Sequence, residues 1–280
     1  MNVVNELGDS TDVFSVVNSS GAAPPQPLEP LAPRDVWTLR DLLLFIAFLP
    51  AALLVSDVAA FAGYFALRPF THWHARLESL TSNTLFVLAL QSLFYLLVLI
   101  YLVLLARLLH RHPFWKSMGW SRPPVGRAVA FLVGGGVLAV VVTVLPPLLP
   151  DAEGFPLEQL FTSPLASYAI GVFAILVAPL VEELVFRGLL FAIFERMVGL
   201  RFAVGATALL FAGLHVPEYW HAWNHVLMIS IVGLVFSLAR AKSGSLAASV
   251  LLHVGYNTCM MAALFFTTQH FHVLDNLSHQ

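Results

Sequence analysis

Residues 174–194 read AILVAPLVEELVFRGLLFAIF, and only Glu182, Glu183 and Arg187 interrupt an otherwise apolar run. The run is long enough to cross a membrane, because a hydrocarbon core about 30 Å thick takes roughly 20 helical residues. A charge at the centre of such a helix costs about 2.5–3.5 kcal/mol on insertion scales, so three in six positions require partners or a task. Glu183 and Arg187 stand four residues apart, share a helical face and can neutralise each other. Glu182 is turned about 100° from Glu183, so its partners have to come from other helices. The pair therefore reads first as structural, and Glu182 as functional.

Composition says what surrounds this helix. The chain has 280 residues, 59% hydrophobic and 11% charged; soluble domains carry about 25% charged residues. Apolar segments recur at 42–67, 84–109, 128–149, 167–195, 202–216, 224–240 and 245–267. They are too long for barrel strands and lack strand alternation. The expected fold is all-α, a polytopic transmembrane bundle of seven to eight spans. A polar tail (1–40) precedes transmembrane helices at 41–165, a second transmembrane unit at 166–267 and a short C-terminal tail at 268–280. The first tail holds GAAPPQPLEPLAP with Glu6, Asp9, Asp12 and Glu29, a composition of disordered chain, and it has no secretory signal pattern. The segment 202–216 is short and is ended by Pro217.

Lysine and arginine counts orient the spans. Basic residues fill 107–127, 196–201 and 240–242, whereas 151–158 is acidic, which predicts the N-terminus inside and the C-terminus outside. The net charge of −2 and the absence of a basic tail argue against nucleic acid as a partner. Cys259 is the single cysteine, so no internal disulfide forms. No organelle signal is visible, and a bacterial cytoplasmic membrane is the expected location.

Two further motifs supply partners for Glu182. FAGLH (211–215) ends on His215, and HVGYN (253–257) places His253 and Asn257 one helical turn apart. One carboxylate, two imidazoles and one amide at comparable depth form a set suited to acid–base chemistry and oxyanion stabilisation. Pro179 predicts a kink beside Glu182. Gly213, Gly255 and the triglycine 134–136 predict close helix approach.

EELVFR, FAGLH and HVGYN resemble the EExxxR, FxxxH and HxxxN motifs of the CAAX-protease and bacteriocin-processing family of intramembrane endopeptidases, of the Ras-converting CAAX prenyl protease type. The likeness covers about 165–267. It implies an eight-helix-like core in which 166–267 is the catalytic domain, acting on a membrane-associated protein or peptide, CAAX-type or bacteriocin-type. It implies that Glu182 activates water with His215, that His253 and Asn257 form the oxyanion site, and that Glu183 and Arg187 support them. The family is named metalloprotease, and a metal-free glutamate mechanism is also proposed for it. A zinc ion at the centre would take Glu182, His215 and His253 as ligands, although HExxH is absent. His221 and His225 form a second candidate pair, beside Trp220 and Trp223, which read as an interfacial belt.

Two other functions fit parts of the pattern. Buried Glu, His and Arg also build proton relays in transporters, but no internal repeat is visible. A non-catalytic immunity or scaffold protein would use the same motifs to hold helices together, with Asn257 as interhelical glue. Asp57 and Gln91, isolated in the first two spans, read as structural.

Overall fold

The computed structural model describes residues 36–70, 80, 83–144, 161–217, 219–220 and 222–271, all within one compact unit, Ala32–Gln280. The polar tail up to residue 35, the acidic residues Asp151, Glu153 and Glu158, His221 and the chain beyond 271 lie outside the described residues.

Among the described residues every regular element is a helix. Helix α1 (Leu39–Leu67) starts where the Asp41 carboxylate accepts the Thr38 N–H at 2.8 Å and its hydroxyl at 2.7 Å, satisfying a donor that the helix end leaves orphaned. Helix α2 (Thr84–Leu104) is capped by Asn83, whose side chain accepts the Phe86 N–H. A four-residue helix α3 (Phe114–Ser117) precedes α4 (Val125–Val144). Helix α5 (Pro164–Met197) is capped by Ser163, with Pro164 at the first position, where its missing N–H costs nothing. Then follow α6 (Leu200–His215), α7 (Trp223–Ser243) and α8 (Leu246–Thr267). Gly244 ends α7 at φ 67°, a conformation that suits glycine.

Six of these helices are long and apolar enough to cross a membrane alone: α1, α2, α4, α5, α7 and α8. Helix α6 has 16 residues and is only about 24 Å long. Helices α5 and α7 end on the same side, and the shorter α6 lies between them in the chain. The polytopic helical bundle expected from the sequence is observed, with six candidate spans among the described residues where seven to eight were expected.

Hydrogen bonds define that common side. Trp37 Nε1 donates to the Ser117 carbonyl and Arg196 Nη1 to the Trp37 carbonyl. The Leu246 N–H donates to the Gly119 carbonyl, and Ser245 Oγ to that of Ser121. These bonds bring the start of α1, the α3 region, the end of α5 and the start of α8 together. Arg40, Lys116, Arg122, Arg196 and Lys242 therefore gather at one basic end. Beneath it lies the largest core cluster, with Trp37, Leu102, Met118, Leu184, Leu189 and Leu246 fully buried. Outward faces carry Leu54, Val58, Val133 and Leu209 as exposed apolar side chains, the inverse of a water-facing surface. Helix α5 is central: 44% of its most apolar window is buried, against 11–17% in α1, α2 and α4.

Helices α4 and α8 meet backbone to backbone. A Cβ at Gly135 would fall onto the Leu252 carbonyl, and one at Gly255 onto the Leu132 carbonyl. Gly213 differs from the expectation of close approach, because a Cβ there meets nothing within 4 Å. Gly255→Ala is thus expected to lower the thermal unfolding midpoint in detergent, since overpacking costs about 1–3 kcal/mol and backbone cannot rotate away. Gly213→Ala is expected to leave the midpoint unchanged or raise it, because alanine favours helix by about 1 kcal/mol over glycine. Equal midpoints for the two variants would contradict the α4–α8 contact.

Candidate active site

Helix α5 is not a uniform α-helix. Ala178–Glu183 is α-helical, but Phe173–Val177 and Leu184–Leu190 on either side are π-helical. Pro179 cannot donate to the carbonyl four residues back, and a π turn shifts register and leaves carbonyls free for other partners. At Pro179 the break in the hydrogen-bond ladder takes this form. Two carbonyls of these segments are taken by other helices: Asn257 Nδ2 donates to Ala174 O at 2.7 Å, and Arg240 Nε to Arg187 O at 3.2 Å. The two glutamates sit between these ties.

Glu183 and Arg187 are both fully buried and joined at 2.8 Å. Arg187 also donates from Nη2 to Gly233 O at 2.8 Å and from Nε to Ser237 Oγ at 3.3 Å. Its guanidinium lies 4.7 Å from the centre of the Phe211 ring and 5.5 Å from that of Phe236, close enough for cation–π attraction. Every guanidinium nitrogen is thereby satisfied by α5 itself or by α7, and the ring contacts add α6. The arginine locks three helices together.

Glu182 faces elsewhere. Tyr95, from α2, donates its hydroxyl to Glu182 Oε1 at 2.8 Å, and its ring stacks on Phe173. His253 Nε2, from α8, stands 3.8 Å from Glu182 Oε2. The Glu182 side chain keeps 14% of its surface exposed, whereas Glu183 keeps none. One carboxylate is open and the other is sealed.

His253 stands between the two carboxylates. Its Nδ1 is 3.0 Å from Glu183 Oε1; an ionised carboxylate only accepts, so Nδ1 carries the hydrogen and Nε2 is the nitrogen turned to Glu182. The imidazole packs against Phe236 at 4.6 Å and Phe211 at 5.8 Å. His215 closes α6, its Nδ1 bonded to Phe211 O at 2.8 Å and its ring 5.0 Å from that of Phe211. A carbonyl also only accepts, so Nε2 of His215 carries the free lone pair in the neutral ring. Phe211 therefore touches both imidazoles and the guanidinium.

Of the residues singled out in the sequence, Glu182, Glu183, Arg187 and His253 form one connected group. His215 joins it through the Phe211 ring, and Asn257 is held at the neighbouring π turn of α5 by Ala174 O. Tyr95 was not singled out. Its signal was a phenol in the middle of an apolar span, one turn after Gln91. The phenylalanine of FAGLH was quoted without a role; the structure gives it one as the shared ring.

The donor set does not fit a metal ion. Among the described residues no three His, Cys, Asp or Glu side chains are placed to hold one. Glu182, His215 and His253, the ligands expected for zinc, do not form such a group. His225 stacks on Tyr219 at 5.4 Å and bonds to the Asn224 side chain, while its candidate partner His221 is outside the described residues.

Tyr95→Phe keeps the stacked ring and removes the hydroxyl from Glu182. A hydrogen bond to a charged group is worth about 1.5–3 kcal/mol, so any reaction that uses a positioned Glu182 carboxylate is expected to slow by about tenfold or more. An unchanged rate would show that the tyrosine does not hold the glutamate in the working state.

An uncharacterized 24.3 kDa protein of Escherichia coli is 33% identical over 148 residues, covering 49% of this chain and 66% of that protein. The match thus spans just under two thirds of that relative's length. No solved structure matches. Residues 164–259, which run from the start of α5 into α8 and include all three motifs, match the model of the type II CAAX prenyl endopeptidase Rce1-like family. Over residues 164–259 the chain is thus similar to the Rce1-like type II CAAX prenyl endopeptidase family.

Proposed function

We propose that this protein is an intramembrane endopeptidase that hydrolyses a peptide bond of a membrane-associated protein or peptide, with Glu182 as the base. The observation that carries this reading is the division of labour between adjacent carboxylates. Glu183 is sealed and neutralised by Arg187 and His253, whereas Glu182 is partly open, fixed by Tyr95 and faced by His253 Nε2.

The chemistry follows from these positions. Glu182 takes a proton from water as the water oxygen attacks the carbonyl carbon, and the carbonyl π pair moves onto its oxygen. His253, protonated and held through Nδ1 by Glu183, donates from Nε2 to that oxygen. The second amide hydrogen of Asn257, beyond the one given to Ala174 O, is a further donor. His215 accepts a water hydrogen at Nε2 and orients the nucleophile. Collapse of the tetrahedral intermediate breaks the C–N bond, and Glu182 passes its proton to the departing amine. Arg187 positions Glu183 and makes no contact with the reacting atoms. No step runs through a metal.

The family resemblance supports a CAAX-type substrate, a prenylated C-terminus delivered from the bilayer; peptide processing of the bacteriocin kind would use the same site. The bacterial cytoplasmic membrane is the proposed location, in keeping with the relative from Escherichia coli. The purified protein in proteoliposomes is tested with a prenylated CAAX peptide and the same peptide without its prenyl group. Release of the C-terminal fragment from the prenylated peptide, read by mass spectrometry, is the expected result. Equal cleavage of both peptides would remove the prenyl specificity, and no cleavage of either would remove the CAAX substrate class.

A further inference from the structure

We propose that the groove between the start of α4 and the α7–α8 turn binds the headgroup phosphate of an anionic phospholipid. The groove encloses about 390 Å³ and is lined at its mouth by Arg122, Arg127 and Lys242, with Ser121 and Ser245 beside them. No acidic side chain lines it. Among the described residues, none of the three cations belongs to an ion pair. The 20-residue helix α4 begins here after Pro123 and Pro124, so its first-turn amides, which have no intrahelical acceptor, point the same way and add partial positive charge. Ser245 Oγ, buried and bonded to Ser121 O at 2.6 Å, fixes the floor by tying the start of α8 to the loop before α4.

Position selects a lipid rather than a free anion. The groove lies at the basic end, where α7 stops and α8 starts, which is where the hydrocarbon region ends. Arg122, Arg127 and Lys242 are exposed there. Phe131 and Ala239 form its inner wall, and Leu138 on α4 and Val235 on α7 continue the same faces toward the bilayer centre as partly buried apolar side chains. A phosphate at the cations would thus have its acyl chains laid along an apolar track between α4 and α7. Basic pockets between transmembrane helices on the cytoplasmic side are suited to lipid headgroups. This binding does not depend on the peptidase reading.

The test uses the full chain in phosphatidylcholine nanodiscs containing a minor fraction of phosphatidylglycerol, with retained lipid counted by native mass spectrometry. The wild-type protein is expected to retain phosphatidylglycerol in preference to phosphatidylcholine. The combined Arg122→Gln, Arg127→Gln and Lys242→Gln variant is expected to weaken that retention by about tenfold or more. Lys242→Glu, a single reversal at an exposed site, is expected to weaken it in the same direction. A control with equal charge loss at the same end, Arg40→Gln, Arg107→Gln and Lys116→Gln, is expected to retain the lipid. Equal loss in both triple variants, or loss in neither, would overturn the proposal. So would binding of inorganic phosphate in pure phosphatidylcholine discs, dependent on the same three cations, with no preference for phosphatidylglycerol.

Discussion

Glu182→Gln is expected to lower the rate of peptide cleavage by about 10²–10⁴-fold, the range a positioned acid–base group contributes, while the protein stays folded. Glutamine has nearly the same shape, and its side-chain oxygen still accepts the Tyr95 hydroxyl, so the α2–α5 contact survives. The amide cannot take a proton from water. Stability and activity should therefore separate: an unfolding midpoint like that of the wild type and a rate close to background. A scaffold would keep its function on this substitution, because helix contacts are preserved. A transporter would show uptake that collapses with the proton gradient and no new peptide ends. A cleavage rate within tenfold of the wild type would remove Glu182 as the base.

Arg187→Met is expected to do the opposite, unfolding the protein before any rate is measured. It leaves the fully buried Glu183 carboxylate with the His253 imidazole in place of a guanidinium and removes the bonds to Gly233 O and Ser237 Oγ. Breaking a buried pair by removing one partner costs about 3–5 kcal/mol, a large part of the roughly 5–15 kcal/mol that stabilises a typical protein. Replacing both partners, as Glu183→Gln with Arg187→Met, removes both buried charges and is expected to recover much of the folded fraction. Activity should not return with it, because His253 loses the carboxylate that holds its Nδ1. Size-exclusion profiles and unfolding midpoints in detergent read the first effect, and cleavage rates read the second. A single Arg187→Met variant as stable as the wild type would contradict the pair's role as the lock between α5, α6 and α7.

What was legible in the sequence was local or periodic. The Glu183–Arg187 pair follows from a four-residue spacing within one helix, and the structure holds it at 2.8 Å. The spacing of His253 and Asn257 puts both on one face, and both do reach α5, at Glu183 and at the Ala174 carbonyl. The shortness of the segment ending at Pro217 was visible as length alone, and α6 indeed ends at His215. Partners on distant helices that carry no motif of their own were not legible. Tyr95 lies 87 residues from Glu182, and nothing in the apolar sequence of α2 states which face turns toward α5. Glycines show the same limit. Gly135 and Gly255 face a neighbouring backbone and Gly213 faces open space, a difference of helix rotation that composition does not encode. Pro179 announced a break in the hydrogen-bond ladder, but the placement of π turns on both sides of the glutamates depends on Asn257 and Arg240 arriving from other helices.

The most direct measurement is terminal-peptide mass spectrometry on membranes of the source organism carrying either the wild-type gene or the Glu182→Gln allele at equal protein level. Peptide ends found only with the wild type, in membrane-associated proteins and beside apolar or lipidated segments, are the expected result. Identical sets of ends in the two membranes would contradict the assignment of this site to peptide hydrolysis.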